Sequence, residues 1–208
     1  MESDYPKDRV FKSLSLRNGK EYFDYFQPNE NEIFVDAGSL NGKTAVQFTN
    51  WAIKGYEYIY SFEANPNSIK KCQETFEEYN LKGELIGKGL WDKRDVLHFD
   101  VKEHDIAGAK LSKTGAEEIE TISLDELLNG KKVTFIKMDI EGAEYKALLG
   151  SEKTIKKWRP RLAICVYHKP EDILELPALI MEMQPNYKFA LRQYAIDMWC
   201  TSTILYAY

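Results

Sequence analysis

Apolar and polar positions along the chain alternate between strand-sized apolar runs and longer helical segments. The first run, residues 33–35, meets Asp36 and then the loop Ala37-Gly38-Ser39-Leu40-Asn41-Gly42. A helical segment carrying Val46, Phe48 and Ile53 follows, with Trp51 between them. Residues 58–62 read as a second strand ending at Glu63, and Ala64-Asn65-Pro66-Asn67 turns into a helix reaching about Tyr79. Pro66 suits the first helical position, where its missing N–H has no partner to lose. Gly83 closes the connection to a third strand over 84–87, and residues 96–100 read as an extra strand.

Between 101 and 118 the pattern breaks down into a polar stretch with Gly108, Gly115, Lys102, Lys110 and Lys113. It reads as a loop covering a substrate or as a connection without a role. Residues 120–122 are extended, and Ser123 with Glu126 fits a capping box before a short helix over 124–128. A fourth strand over 132–138 ends at Asp139, and Gly142-Ala143-Glu144 opens a helix with Leu148 and Leu149. Another helix, 152–158, is stopped by Pro160. The fifth strand, 162–166, ends at Tyr167-His168, and Pro170-Glu171-Asp172 opens a helix to about Met183. Residues 187–191 and 203–207 are two closing strands joined by a linker over 193–201. Repeated strand–helix units predict a parallel sheet, and two strands with no helix between them predict an antiparallel finish. Residues 1–30 are polar with aromatic spots at Phe11, Tyr22, Phe23, Tyr25 and Phe26. They read as a helical extension packing over the first strand or covering the site, and residues 31–208 as one α/β domain.

Composition narrows the class. A 208-residue chain that is 44% hydrophobic and 29% charged can bury a core, and its net charge of −5 gives no basic face for nucleic acid. The apolar runs are too short to span a membrane, and the N-terminus lacks a signal-peptide core. Cys72, Cys165 and Cys200 are scattered without ligand spacing, which predicts reduced thiols in a cytoplasmic protein; Asp139, Glu141 and His168 together could bind a hard divalent cation, but no tight ligand motif supports a metal site.

Candidate chemistry gathers at the predicted strand ends, where open α/β sheets bind ligands. Gly38 and Gly42 would let backbone approach a ligand without a Cβ in the way. Their spacing is not the dinucleotide GxGxxG, and no lysine stands where a phosphate loop needs one. Asp36 instead suits a ligand with a cationic amino acid end, such as S-adenosylmethionine. Glu63 stands where this architecture binds ribose hydroxyls, unless it is a solvated loop acid. Leu90 or Trp91 could hold an adenine, or Trp91 could simply pack.

The residues also carry a resemblance. Val35-Asp36-Ala37-Gly38-Ser39-Leu40-Asn41-Gly42, Tyr60-Ser61-Phe62-Glu63-Ala64-Asn65-Pro66 and residues 121–127 resemble the FkbM family of S-adenosylmethionine-dependent methyltransferases. The likeness is densest in Phe135-Ile136-Lys137-Met138-Asp139-Ile140-Glu141-Gly142-Ala143-Glu144 and continues through residues 159–164 and 167–172. It implies a Rossmann-like class I methyltransferase fold: a mostly parallel seven-stranded sheet with a reversed last strand and helices on both faces. It also implies S-adenosylmethionine as cofactor, held by Asp36, Gly38, Ser39, Asn41, Gly42, Glu63, Leu90, Trp91 and Asp139. The acceptor would be a hydroxyl of a small molecule or glycan. Methyl transfer to an alcohol calls for a general base. His168 has a suitable reference pKa, and Asp139 could orient the acceptor, face the cofactor's cationic end or act as base itself. Both are thus candidate catalytic residues, beside a structural reading of each as a loop or helix-cap group.

Overall fold

The computed structural model describes residues 20–100, 110–111, 117–195 and 202–208. Eleven strands and six helices follow one another there: β1 (Glu32–Ala37), α1 (Lys43–Trp51), β2 (Tyr56–Phe62), α2 (Pro66–Glu78), β3 (Gly83–Ile86), β4 (Gly89–Leu90), β5 (Asp95–Asp100), β6 (Lys110–Leu111), β7 (Glu117–Ile122), α3 (Leu124–Leu128), β8 (Phe135–Met138), α4 (Glu144–Leu149), α5 (Glu152–Trp158), β9 (Arg161–Cys165), α6 (Asp172–Met183), β10 (Phe189–Gln193) and β11 (Thr203–Ala207). The expected helices within residues 1–19, the loop over 101–109 and 112–116 with His104, and the linker over 196–201 with Cys200 lie outside the described residues. Residues 20–30 form turns and bends rather than helix.

The main sheet has seven strands in the order β10-β11-β9-β8-β1-β2-β3. β1 pairs in parallel with β2 and β8, and β8 with β9. The last strand, β11, is inserted antiparallel between β9 and β10, as the missing final helix predicts. Side chains alternate between the two faces of these buried strands. Val35, Ile136 and Leu162 belong to one core with Leu148 of α4 and Leu176 and Ile180 of α6. Phe34, Phe135 and Ala163 belong to a second core with Ala45 and Phe48 of α1. The Phe34 and Phe48 rings stack with centroids 4.3 Å apart.

The second core is completed by Tyr22, Phe23 and Phe26, all buried. Phe23 meets the Phe135 ring edge-on at 5.8 Å. The segment after residue 19 is thus an aromatic strap across the sheet, with the buried Tyr22 reaching Asp139 at the strand ends.

A second, four-stranded sheet, β4-β7-β5-β6, joins the strands expected over 96–100 and 120–122, but neither their pairing nor β4 and β6 were legible from the pattern. β4 and β6 have two residues each, too few for any periodicity. β5 and β7 pair antiparallel, with Val96 opposite Glu120. Ser123 caps α3 as expected, accepting from the Glu126 N–H at 3.2 Å, but the Glu126 carboxylate binds Arg94 instead of reaching back. No helix among the described residues is long and apolar enough to cross a membrane.

Candidate functional site

The parallel strands β1, β2, β8 and β9 end along one edge of the sheet. Ala37 and Met138 are register partners there, as are Ala37 and Phe62, and Met138 and Ile164. The residues just after them, Gly38, Glu63, Asp139 and the Val166–His168 stretch, are therefore brought together by topology alone.

The β1 loop is built more by its own chain than the sequence suggests. Gly38 has φ +84°, and a Cβ there would lie 1.8 Å from the Asp139 carbonyl oxygen. The close approach its glycine permits is thus to the chain's own backbone. Gly42, at φ +75°, begins α1, and a Cβ on it would come within 3.2 Å of Cys72 on α2. Ser39 is buried, and its hydroxyl donates to the Asp36 and Phe62 carbonyls at 3.2 and 3.1 Å. The Asn41 side-chain oxygen accepts the Lys43 N–H at 3.2 Å.

Asp36 corrects the expectation most clearly. Its carboxylate is completely buried, and the cation beside it is the ammonium of Lys137, 3.1 Å from Oδ1. Burial pushes the Asp36 carboxyl upward, with Lys137 opposing. Burial works against the Lys137 charge too, but Asp36 and then Asp139 outweigh it and hold the ammonium protonated. The sequence placed Lys137 inside a strand and gave it no role.

Glu63 sits where it was expected, at the tip of β2. Its two oxygens accept the Leu40 N–H at 2.7 Å and the Asn65 N–H at 2.9 Å. Burial raises its pKa despite those two donors. The Ala64 N–H is a third backbone donor to the carboxylate, so three of its four lone-pair sites are used within the chain. Asn65 then caps α2, with Pro66 at the first helical position. Leu90, read as a nucleobase contact, lies in the core at 2% exposure. Trp91 is half-buried, and its backbone N–H donates to the Ile122 carbonyl at 3.0 Å, tying its main chain to the small sheet.

Asp139 and His168 meet at the tips of β8 and β9. His168 Nε2 is 3.4 Å from Asp139 Oδ1 and 3.6 Å from Glu141 Oε2, and Nδ1 is 2.9 Å from Glu144 Oε1. The imidazole is only 8% exposed. Burial disfavours its charge, but Glu144, then Asp139 and Glu141, more than compensate and raise its pKa above the ordinary value. Asp139 is gripped by two phenols: Tyr22 donates to Oδ2 and Tyr167 to Oδ1, both at 2.9 Å. Burial would raise the Asp139 pKa, yet the Lys137 charge and the bonds from Tyr167, Cys165 and Tyr22 bring it below the usual value. Glu144 is fully buried, and Oε1 also accepts the Ile140 N–H at 2.9 Å.

Sequence reasoning missed Lys137, Tyr22, Tyr167 and the role of Glu144. Tyr167 and Glu144 carried a signal, since each neighbours or shortly follows a strand-end candidate. Tyr22 carried none, being 117 residues from its partner. Among the described residues no group of three or more His, Cys, Asp or Glu side chains is placed to hold a metal ion.

A parallel seven-stranded sheet with a reversed last strand and polar groups along its carboxyl edge is the Rossmann-like fold of the class I methyltransferases. The Methyltransferase FkbM domain matches residues 36–191, and the chain belongs to that family. The structure is similar to that of the FkbM methyltransferase from Methylobacillus flagellatus KT, with a TM-score of 0.80 and 24% identity over 97% of this chain and 50% of the other. The chain thus spans half the length of that protein. An rRNA methylase from Streptococcus thermophilus matches with a TM-score of 0.54 and 18% identity over 87% of each chain. Fibrillarin from Aeropyrum pernix, solved with natively bound S-adenosyl-L-methionine, matches with a TM-score of 0.51 and 12% identity over 87% of this chain and 67% of its own. No match was found among the curated proteins.

Proposed function

We propose that this domain transfers a methyl group from S-adenosylmethionine to a hydroxyl oxygen of a small molecule or glycan. The observation that carries the reading is the pairing of His168 with Asp139, 3.4 Å apart at adjacent strand tips. These tips adjoin the β1 loop, through the contact of Gly38 with the Asp139 backbone. Family membership supports methyl transfer. Glu63 at the tip of β2 stands where this architecture binds the ribose of a cofactor.

Bound there, S-adenosylmethionine supplies an electrophilic methyl carbon on a sulfonium. Holding the acceptor oxygen in line with that carbon is the main task of the surrounding residues. With Nδ1 protonated toward the buried Glu144, Nε2 of His168, enclosed by Asp139 and Glu141, is the atom that accepts the hydroxyl proton. Asp139 is the poorer base, because two phenols and the Lys137 charge stabilise it as a carboxylate. It orients His168 and keeps the imidazolium formed during the reaction stable. Buried, unpaired Cys72 and Cys165 support a reducing, cytoplasmic setting. The net charge of −5 weighs against a nucleic-acid acceptor.

A screen with S-adenosylmethionine carrying a labelled methyl group tests this against hydroxylated sugars, hydroxylated lipids, amines and RNA. Label on a sugar or lipid oxygen is expected. Label found only on RNA or only on amines would overturn the assignment of the acceptor.

A further inference from the structure

We propose that Lys137 is a positioning residue for the cofactor: its buried ammonium holds the β1 loop in its ligand-binding shape. The inference rests on the reading that this loop carries S-adenosylmethionine.

Lys137 lies on β8, opposite Asp36 in the central pair of the sheet, and is 1% exposed. An ammonium has three protons to place. Here three acceptors surround it: Asp36 Oδ1 at 3.1 Å, the Ala37 carbonyl at 3.1 Å and the Gly38 carbonyl at 2.7 Å. Those carbonyls belong to the first two peptide units of the loop. The N–H groups of the same two units, on Gly38 and Ser39, both donate to the Phe62 carbonyl at 3.0 Å. Each unit is therefore pinned from both sides, by β2 through its N–H and by Lys137 through its carbonyl. Gly38 carries the φ of +84° that turns the chain out of the strand at this point.

Stability alone does not account for the pair. Burying a lysine and an aspartate in the sheet costs their hydration, and an apolar pair of similar volume holds a fold equally well or better. An apolar pair could not bind the Ala37 and Gly38 carbonyls. Asp36, in turn, balances the charge that the latch brings into the core. Its wholly buried carboxylate is suited to that role and not to direct contact with a ligand.

Titration calorimetry with S-adenosylhomocysteine, paired with thermal unfolding, separates positioning from plain structural support. The variants are Lys137→Met and the double substitution Asp36→Leu with Lys137→Met. The single variant leaves a buried carboxylate without its cation, so its unfolding midpoint should fall sharply. In the double variant the midpoint should recover toward wild type, while the dissociation constant stays at least tenfold weaker. Amides of residues 38–40 should exchange with solvent faster in the folded double variant than in wild type. A double variant that binds S-adenosylhomocysteine as tightly as wild type, with unchanged exchange, would overturn the proposal. A wild-type protein that fails to bind S-adenosylhomocysteine would instead sink the underlying reading of the loop. If the single variant does not fold, the double variant alone decides the matter.

Discussion

His168 is enclosed by Glu144, Asp139 and Glu141, and these charges set the pH at which it can accept a proton. Its pKa is raised above 6.5, so the acid limb of the rate profile should lie above 6.5, with activity rising as the imidazole loses its proton. Asp139→Asn removes one of the charges that raise it and should move the limb down. His168→Ala should lower turnover about 10²–10⁴-fold and leave S-adenosylhomocysteine affinity nearly intact, which single-turnover kinetics and calorimetry check separately. Unchanged turnover would remove His168 as base. The same shift predicts a pH dependence of stability. A raised folded-state pKa stabilises fully below the unfolded value of about 6.5 and loses that contribution as pH rises through the folded value. The stability difference between wild type and His168→Gln, from denaturant midpoints, should therefore shrink on raising the pH from 6 upward. His168 and Asp139 were visible in the sequence because each ends an apolar run. The three carboxylates around His168 were only partly visible. Glu141 and Glu144 read equally well as helix-terminal charges, and only the turn after β8 shows that Glu144 faces inward.

The loops after β1 and β2 form a unit joined by Glu63, which accepts N–H groups from both. Glu63→Ala should weaken S-adenosylhomocysteine by roughly 1.5–3 kcal/mol, the scale of hydrogen bonds to a charged group. It should also lower the unfolding midpoint, because Leu40 and Asn65 lose their acceptor. Glu63→Gln should do less of both, and calorimetry showing no change for either variant would take Glu63 out of the ribose site. Gly38→Ala would place a methyl 1.8 Å from the Asp139 carbonyl at a φ costing about 1–2 kcal/mol by itself. A variant as stable as wild type in urea would contradict that geometry. The strands of the main sheet were legible because each is a buried apolar run bounded by turn residues. Of the small sheet only β5 and β7 were legible as extended stretches, because β4 and β6 have two residues each and the pairings join pieces far apart in the chain. Without those pairings nothing marked Leu90 as core.

At the scale of the whole molecule, the fold brings the strand tips, the β1 loop and Tyr22 of the aromatic strap together at one edge of the sheet, while Phe23 and Phe26 anchor the strap in the core. The strap ties the segment before β1 to the carboxyl edge of the sheet through the bond from Tyr22 to Asp139. The parallel pairing of the main sheet followed from the alternation of strands and helices, and its antiparallel finish from the lack of a helix between the last two strands. The strap did not follow, because aromatic residues in a polar segment do not say which surface they cover. The central claim is that the strand tips hold a sulfonium nucleoside rather than a nicotinamide. Titration calorimetry of the wild-type protein with S-adenosylhomocysteine, S-adenosylmethionine and NAD tests it most directly. Saturable binding of both sulfur nucleosides, with no heat from NAD, is the predicted result. Tight binding of NAD with no response to either of the others would contradict it.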